Sequence, residues 1–409
     1  MAFISVTALF FLWGFITCLN DILVPHLKGI FSLDYAGAMM VQFAFFSAYF
    51  FFSLPAGYIV KRFGYPNGLL TGLFIAGIGA FAFYPASLLH SYEVFLASLF
   101  ILACGITLLQ IAANPYAAAL GPPEKASARL NFAQAFNSLG TTIAPTIGSY
   151  FVLGGAAHSP FSIFQSSTDL PYLGITLLLF AMILALRALS LPSLTDASLE
   201  RETAGGIDRG HALRYANLRW GVMAIFFYVG AEVGLGSMLV NYIASSWTIE
   251  PYDAGYYVGF YWGGAMAGRF VGTYFLNRFR AELCLGVSGL FATVCILLGI
   301  LGSQGLSPYF LLIIGIFNSI MFPVIFSLSI KNLGRHTSQG SSFLCMAVVG
   351  GAIMPLLQGF VADAWGIRLS FVLPLLSYTY ICWYAGQSFF KGSEWALTGV
   401  KTEGASHGN

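Results

Sequence analysis

Charge is what this 409-residue chain has least of: Asp, Glu, Lys and Arg together make up 8% of it, against about 25% in an average globular protein. So few charges cannot cover the surface of a soluble protein of this length, which excludes an array of water-soluble domains. The formal net charge is only +2 and there is no basic cluster, so nucleic acid is excluded as a partner. Cysteine is scarce as well. Cys18, Cys104, Cys284, Cys295, Cys345 and Cys382 all sit in apolar runs, without a CxxC pair or a neighbouring His or Asp cluster. That pattern predicts thiols behaving as small hydrophobes, with no disulfide framework and no metal site. A Walker loop, an HExxH motif, a dinucleotide fingerprint and catalytic-triad spacing are also missing, so the chain is expected to be no enzyme, to use no ATP and to need no cofactor.

What is abundant is apolar surface, at 58% of residues, with aromatics at 16%. Such a chain is not disordered; it reads as an all-α membrane protein. A helix needs about 20 apolar residues to cross roughly 30 Å of hydrocarbon. That window gives twelve spans: 3–27, 36–60, 68–88, 94–119, 130–154, 171–190, 219–246, 254–276, 283–303, 307–330, 340–362 and 369–390. The first run has no basic residue before it and no A-x-A site after it, so it reads as a span and not as a removable signal peptide. The polar stretch after the sixth span divides the chain into a six-helix bundle (1–190), a cytoplasmic linker (191–218), a second six-helix bundle (219–390) and a cytoplasmic tail (391–409). If the gaps alternate sides, fifteen Lys and Arg fall on one side and only Lys28 and Arg368 on the other. The positive-inside rule then places both termini in the cytoplasm.

The halves repeat. At an offset of 216, Gly14 falls on Gly230, Leu19 on Leu235, Leu23 on Leu239 and Arg62 on Arg278; further along, Pro115 meets Pro323, Gly140 meets Gly350 and Pro145 meets Pro355. Two homologous halves suit an alternating-access carrier that rocks about a midplane site. The loop from Gly57 to Gly64, with Lys61 and Arg62 followed by Phe63, resembles the loop signature of the major facilitator superfamily. Lys61 stands where that signature usually has an acid, and Asn277-Arg278-Phe279 is a more degenerate copy.

Within the spans and away from their ends, Asp21, Glu232 and Arg269 are the charged residues. A charge at mid-helix costs at least about 2.5–3.5 kcal/mol, so each is a functional candidate. Asp21 reads either as an interfacial acid already in contact with water or as a proton-carrying carboxylate facing a central cavity with Gly14 and Thr17. Glu232 and Arg269, on neighbouring spans, read either as a self-neutralising ion pair or as a proton-sensitive switch. Gly264, Gly268 and Gly272 read as close helix packing. Amides recur at helical spacing: Gln110 with Asn114, Gln134 with Asn137, Asn20 beside Asp21, and more sparsely Asn318 and Gln358, with Trp262 offering an aromatic face. Amides both donate and accept, and aromatic faces stack on sugar C–H groups, which suits a neutral polyhydroxylated ligand. The alternative for each amide is interhelical glue.

The segments 10–28 (FFLWGFITCLNDILVPHLK), 108–121 (LLQIAANPYAAALG), 129–145, 317–334 and 340–366 resemble the fucose/galactose/glucose:proton symporter family, a branch of the major facilitators, and most of all its bacterial glucose/galactose permeases. The resemblance implies a monosaccharide imported with a proton across the bacterial inner membrane by a monomer embedded in the lipid bilayer. It makes Asp21 the family's span-one acid and Gln134 and Asn137 its span-five amides. Fucose-type members carry a glutamate where this chain has Gln110 and a tyrosine where it has Phe322, which argues against fucose. The expected activity is hexose–proton symport. Proton coupling is assigned to Asp21 and Glu232, and sugar contacts to Asn20, Gln110, Asn114, Gln134, Asn137, Trp262, Asn318 and Gln358. Switching is assigned to Glu232, Arg269, Lys61, Arg62 and Arg278. N-acetylglucosamine, fucose and sodium coupling are the alternatives. A membrane glycosyltransferase lacks outer loops long enough for a site, and a sugar sensor lacks a signalling domain.

Overall fold

A computed structural model describes residues 2–30, 35–148, 169–188, 192 and 211–390, and side chains at 3–17, 40, 41, 43–144, 173–188, 192, 211–250 and 253–390. The described residues form only helices and turns. The first half comprises α1 (Ala2–Ile30), α2 (Tyr35–Phe63), α3 (Tyr65–Leu89), α4 (Tyr92–Ala119), α5 (Ala126–Gly148) and α6 (Asp169–Ala188). The second comprises α7 (Ala216–Trp247), α8 (Pro251–Arg278), α9 (Ala281–Leu301), α10 (Ser307–Asn318), α11 (Met321–Ile330), α12 (Thr337–Met346), α13 (Gly350–Trp365), α14 (Ile367–Ser370) and α15 (Val372–Phe390). The tenth, eleventh and twelfth spans, expected as single helices, are each interrupted. The reason in the tenth is local: Pro323 supplies no amide hydrogen to the turn before it. Of the expected linker, only Pro192 and residues from 211 onward are described, and the tail from 391 lies outside the described residues.

Among the described residues, eight helical stretches are long and apolar enough to cross a membrane, and shorter apolar helices cover Phe3–Thr17 and Leu173–Ala188. Neither set includes α5, with its Asn and Gln, or α8, with its Gly and Tyr. These two helices pack on each other across the junction between the halves. The amides of α5 that face protein, Asn131 and Gln134, are buried, which is where a polar side chain within a span is tolerated.

Packing reproduces the sequence repeat. In the first half α1 packs on α5, α2 on α4, and α3 on α6; in the second α7 packs on α13, α8 on α10, and α9 on α15. The aligned glycines make equivalent contacts. A Cβ at Gly140 would run into the backbone oxygen of Phe11, and one at Gly350 into that of Phe226. A backbone atom cannot swing aside as a side chain can, so Gly140→Ala and Gly350→Ala are each expected to cost about 1–3 kcal/mol. Gly386→Ala, with nothing within 4 Å, should be neutral or gain up to about 1 kcal/mol from helix propensity. Thermal unfolding in detergent compares the three.

Two seams join the halves: α2 and α4 against α12, and α5 against α8 and α11. They are anchored near the end that carries Lys61, Lys125, Arg278 and Lys331, here termed the basic end. There, a Cβ on Gly57 would strike the Ser342 side chain, and Ser127 Oγ lies 2.6 Å from Ser327 Oγ. The first and seventh spans, α1 and α7, share no packed seam among the described residues.

Candidate functional site

The expected site residues of the first half lie on α1, α4 and α5. Asn20 and Asp21 fall in the helical backbone of α1, beyond the residues whose side chains are described. Gln110, Asn114 and Gln134 are brought together and buried: Gln134 Nε2 donates to Asn114 Oδ1 at 3.3 Å. This leaves Gln110 Oε1 and Asn114 Nδ2 buried without a hydrogen-bond partner. Four residues apart on one helix, they face the same side, an acceptor beside a donor. Asn137 behaves differently. Its Nδ2 donates to the backbone oxygen of Phe10 at 3.0 Å, fastening α5 to α1 beside Gly14, where a Cβ would meet the Asn137 backbone.

In the second half Glu232 lies about 24 Å along α7 at 1.5 Å per residue, near the middle of this 32-residue helix. It is half-buried, close enough to Tyr228 for a side-chain hydrogen bond and within electrostatic reach of Arg269. Arg269 is also half-buried, but its Nε donates to the backbone oxygen of Ser319 at 3.1 Å. Among the described residues no salt bridge joins Glu232 to Arg269. The two charges lie on neighbouring helices, each beside neutral partners, Glu232 next to Tyr228 and Arg269 on the Ser319 oxygen.

Asn318 is fully buried and committed to the protein. Its Nδ2 donates to Tyr261 Oη at 2.7 Å, its Oδ1 accepts from Tyr378 Oη at 2.7 Å, and its backbone oxygen accepts from Tyr228 Oη at 3.1 Å. Tyr261 Oη in turn donates to the Glu232 backbone oxygen at 3.1 Å. Gln358 is likewise buried, with its Nε2 donating to Ser370 Oγ at 3.3 Å. Both amides act as glue in this arrangement. Trp262 is 46% exposed; its ring edge lies close to Gly236 and its centroid 5.1 Å from that of Tyr261. Lys61, Arg62 and Arg278 are exposed. The Arg62 guanidinium lies 5.5 Å from the Phe63 ring centre and that of Arg278 5.2 Å from Tyr274, each on its own helix.

The sequence reading missed Tyr228 and Tyr378. Tyr228 was detectable, standing one turn before Glu232; Tyr378 had no such marker. Asn131, which the α5 spacing puts on the amide face of Gln134 and Asn137, is spent across the seam: its Nδ2 reaches the Arg269 backbone oxygen at 2.7 Å and Thr273 Oγ1 at 3.0 Å. The five described cysteines are free, with Cys104, Cys295 and Cys345 buried and Cys284 and Cys382 half-buried. No group of three His, Cys, Asp or Glu capable of holding a metal occurs among the described residues.

Residues 2–347 match the model of the Major Facilitator Superfamily. The chain is 45% identical over 385 residues to the glucose/galactose transporter of Brucella abortus biovar 1 (strain 9-941), covering 94% of this chain and 93% of that protein. It is 33% identical over 404 residues to the L-fucose-proton symporter of Escherichia coli (strain K12), covering 94% and 92%. The crystal structure of FucP in the outward conformation superposes with a TM-score of 0.84 at 33% identity, covering 94% of this chain and 98% of that one. The chain is therefore a membrane transporter and not an enzyme: it belongs to the Major Facilitator Superfamily, in the branch that holds the glucose/galactose transporters and the L-fucose-proton symporters.

Proposed function

We propose that this protein imports a neutral hexose of the glucose/galactose type together with a proton, by alternating access between the halves 1–190 and 219–390. The observation that carries the reading is the unpartnered pair on α4. Gln110 Oε1 accepts, Asn114 Nδ2 donates, and both are buried. An orphaned buried polar group costs about 1–3 kcal/mol, and a sugar hydroxyl, donor and acceptor at once, satisfies both atoms. In this reading Gln134 holds Asn114 in place, Asn137 sets the spacing of α1 to α5, and Trp262 gives the opposite wall an aromatic face. Asp21 and Glu232 carry the proton, and Asn20 flanks the first of them. Arg269, Lys61, Arg62 and Arg278 serve the change of state, and Asn318 and Gln358 support the wall from behind.

The similarity to glucose/galactose transporters exceeds that to the fucose symporters, and an amide at position 110 where fucose-type members have an acid favours the same choice. The contacts of both seams at the basic end support a carrier closed on that side. With the positive-inside rule, that side is the cytoplasm and the state is outward-facing, as in the FucP crystal form it resembles. The bacterial relatives support a place in the inner membrane; in this reading the positive-inside rule puts both termini in the cytoplasm, and the chain acts as a monomer.

The test is uptake of labelled glucose into vesicles reconstituted with the purified chain, with unlabelled galactose, fucose or N-acetylglucosamine as competitors. Galactose is expected to compete fully and an uncoupler to abolish accumulation. Competition by fucose or N-acetylglucosamine alone would reassign the sugar. Uptake that survives the uncoupler but stops without sodium would reassign the ion.

A further inference from the structure

Pro323 has no amide hydrogen, so the carbonyl of Ser319, four residues earlier, has no helical donor. The tenth span breaks at that point, with α10 ending at Asn318 and α11 starting at Met321. Arg269 supplies the missing donor, since its Nε reaches the Ser319 oxygen at 3.1 Å. Small residues on either side permit this approach. A Cβ at Gly268 would lie 2.7 Å from both the Ile316 oxygen and Ser319 Oγ, and one at Gly272 would collide with the Ile320 side chain.

The same arginine is gripped from the other half, where Asn131 Nδ2 donates to its backbone oxygen at 2.7 Å. Both pieces of the tenth span are fastened within their own half, and the lower one also reaches the first half. Above the break, Asn318 is tied to Tyr261 and Tyr378 of its own half. Below it, Ser327 Oγ meets Ser127 Oγ of the first half at 2.6 Å. α11 is also held to its own half, by Asn217 Nδ2 to the Leu328 and Ser329 oxygens and by Ser329 Oγ to Tyr384 Oη, so its angle to α10 sets where Ser327 meets Ser127.

We propose that Arg269 is a positioning residue for transport: its Nε stands in for the hydrogen that Pro323 lacks, fixing the angle between α10 and α11 and so the fit of the Ser127–Ser327 seam. This role does not depend on which sugar or ion is carried. It also differs from pairing with Glu232, because the acceptor is a backbone carbonyl that no side-chain substitution removes.

The distinguishing property is rescue. Pro323→Ala returns an amide hydrogen to the Ser319 carbonyl and makes the arginine redundant there. In the full chain, with the native cysteines replaced and Ser327→Cys introduced, the rate of maleimide modification reports the seam, since Ser327 is buried in it. Arg269→Gln is expected to raise that rate about tenfold, the scale of one buried charge-assisted hydrogen bond. Pro323→Ala alone is expected to change it little, and the double variant to return close to the Pro323→Ala value. An unchanged rate in Arg269→Gln, or a double variant as reactive as Arg269→Gln, overturns the proposal. If Arg269→Gln does not fold, recovery of folding in the double variant supports it and failure of both overturns it. No transport is measured, so the result stands apart from the hexose assignment.

Discussion

Asp21→Asn is expected to bring sugar accumulation down to equilibration while leaving exchange of labelled for unlabelled sugar across the membrane intact. A proton crossing 100 mV yields about 2.3 kcal/mol, and each tenfold in concentration costs about 1.4 kcal/mol. A one-proton symporter therefore concentrates its sugar up to roughly fifty-fold at that potential alone. Asparagine has the shape of the protonated acid but cannot release a proton on the inside. The loaded carrier still closes and reopens, so exchange continues, but the empty carrier returns uncoupled from the gradient. The readouts are the steady-state accumulation ratio under an imposed gradient and the rate of counterflow without one. A ratio near that of the unmodified protein removes Asp21 from the coupling step. In that case Glu232 is left as the coupling acid, and Glu232→Gln is expected to bring accumulation down to equilibration instead.

The architecture was largely legible because bilayer thickness and chain charge act on sequence directly. Span lengths, the basic side and the glycine correspondences all follow from that, and Gly140 and Gly350 meet equivalent backbone oxygens on Phe11 and Phe226. Side-chain roles were less legible, for a physical reason that Arg269 illustrates. An arginine within a span implies an acceptor, and the side chain that the sequence suggests for it is Glu232. The acceptor it uses is the Ser319 carbonyl, a group that every residue possesses and that becomes available only because of Pro323. The helix interruptions near Asn318 and Met346 were hidden likewise, because their apolar composition continues unbroken across them. Amides pose the same ambiguity, since asparagine is equally suited to binding a sugar and to binding a tyrosine. Asn114 and Asn318 are both fully buried, and only their partners separate them.

That difference sets opposite expectations for one substitution made twice. Asn318→Leu removes the acceptor of Tyr378 Oη and the donor to Tyr261 Oη. Tyr261 keeps its hydrogen bond to the Glu232 backbone, but the Tyr378 hydroxyl is left buried without an acceptor. The expected loss is about 1–3 kcal/mol of stability, visible as a lower Tm in detergent. Asn114→Leu, of similar volume, removes a donor that has no partner and an acceptor with a single bond at 3.3 Å. Stability is expected to stay within about 0.5 kcal/mol of the parent, because removing the orphaned Asn114 Nδ2 offsets the Gln134 Nε2 left without its acceptor. Sugar binding is expected to weaken tenfold or more, since a hydrogen bond to a buried hydroxyl is worth on the order of 1–1.5 kcal/mol and leaving that hydroxyl unpaired costs more. Binding measured by quenching of tryptophan fluorescence, beside Tm for each variant, separates the two residues. If Asn114→Leu lowers Tm as much as Asn318→Leu and leaves affinity unchanged, the α4 amides are packing elements and the sugar contacts lie elsewhere on the wall.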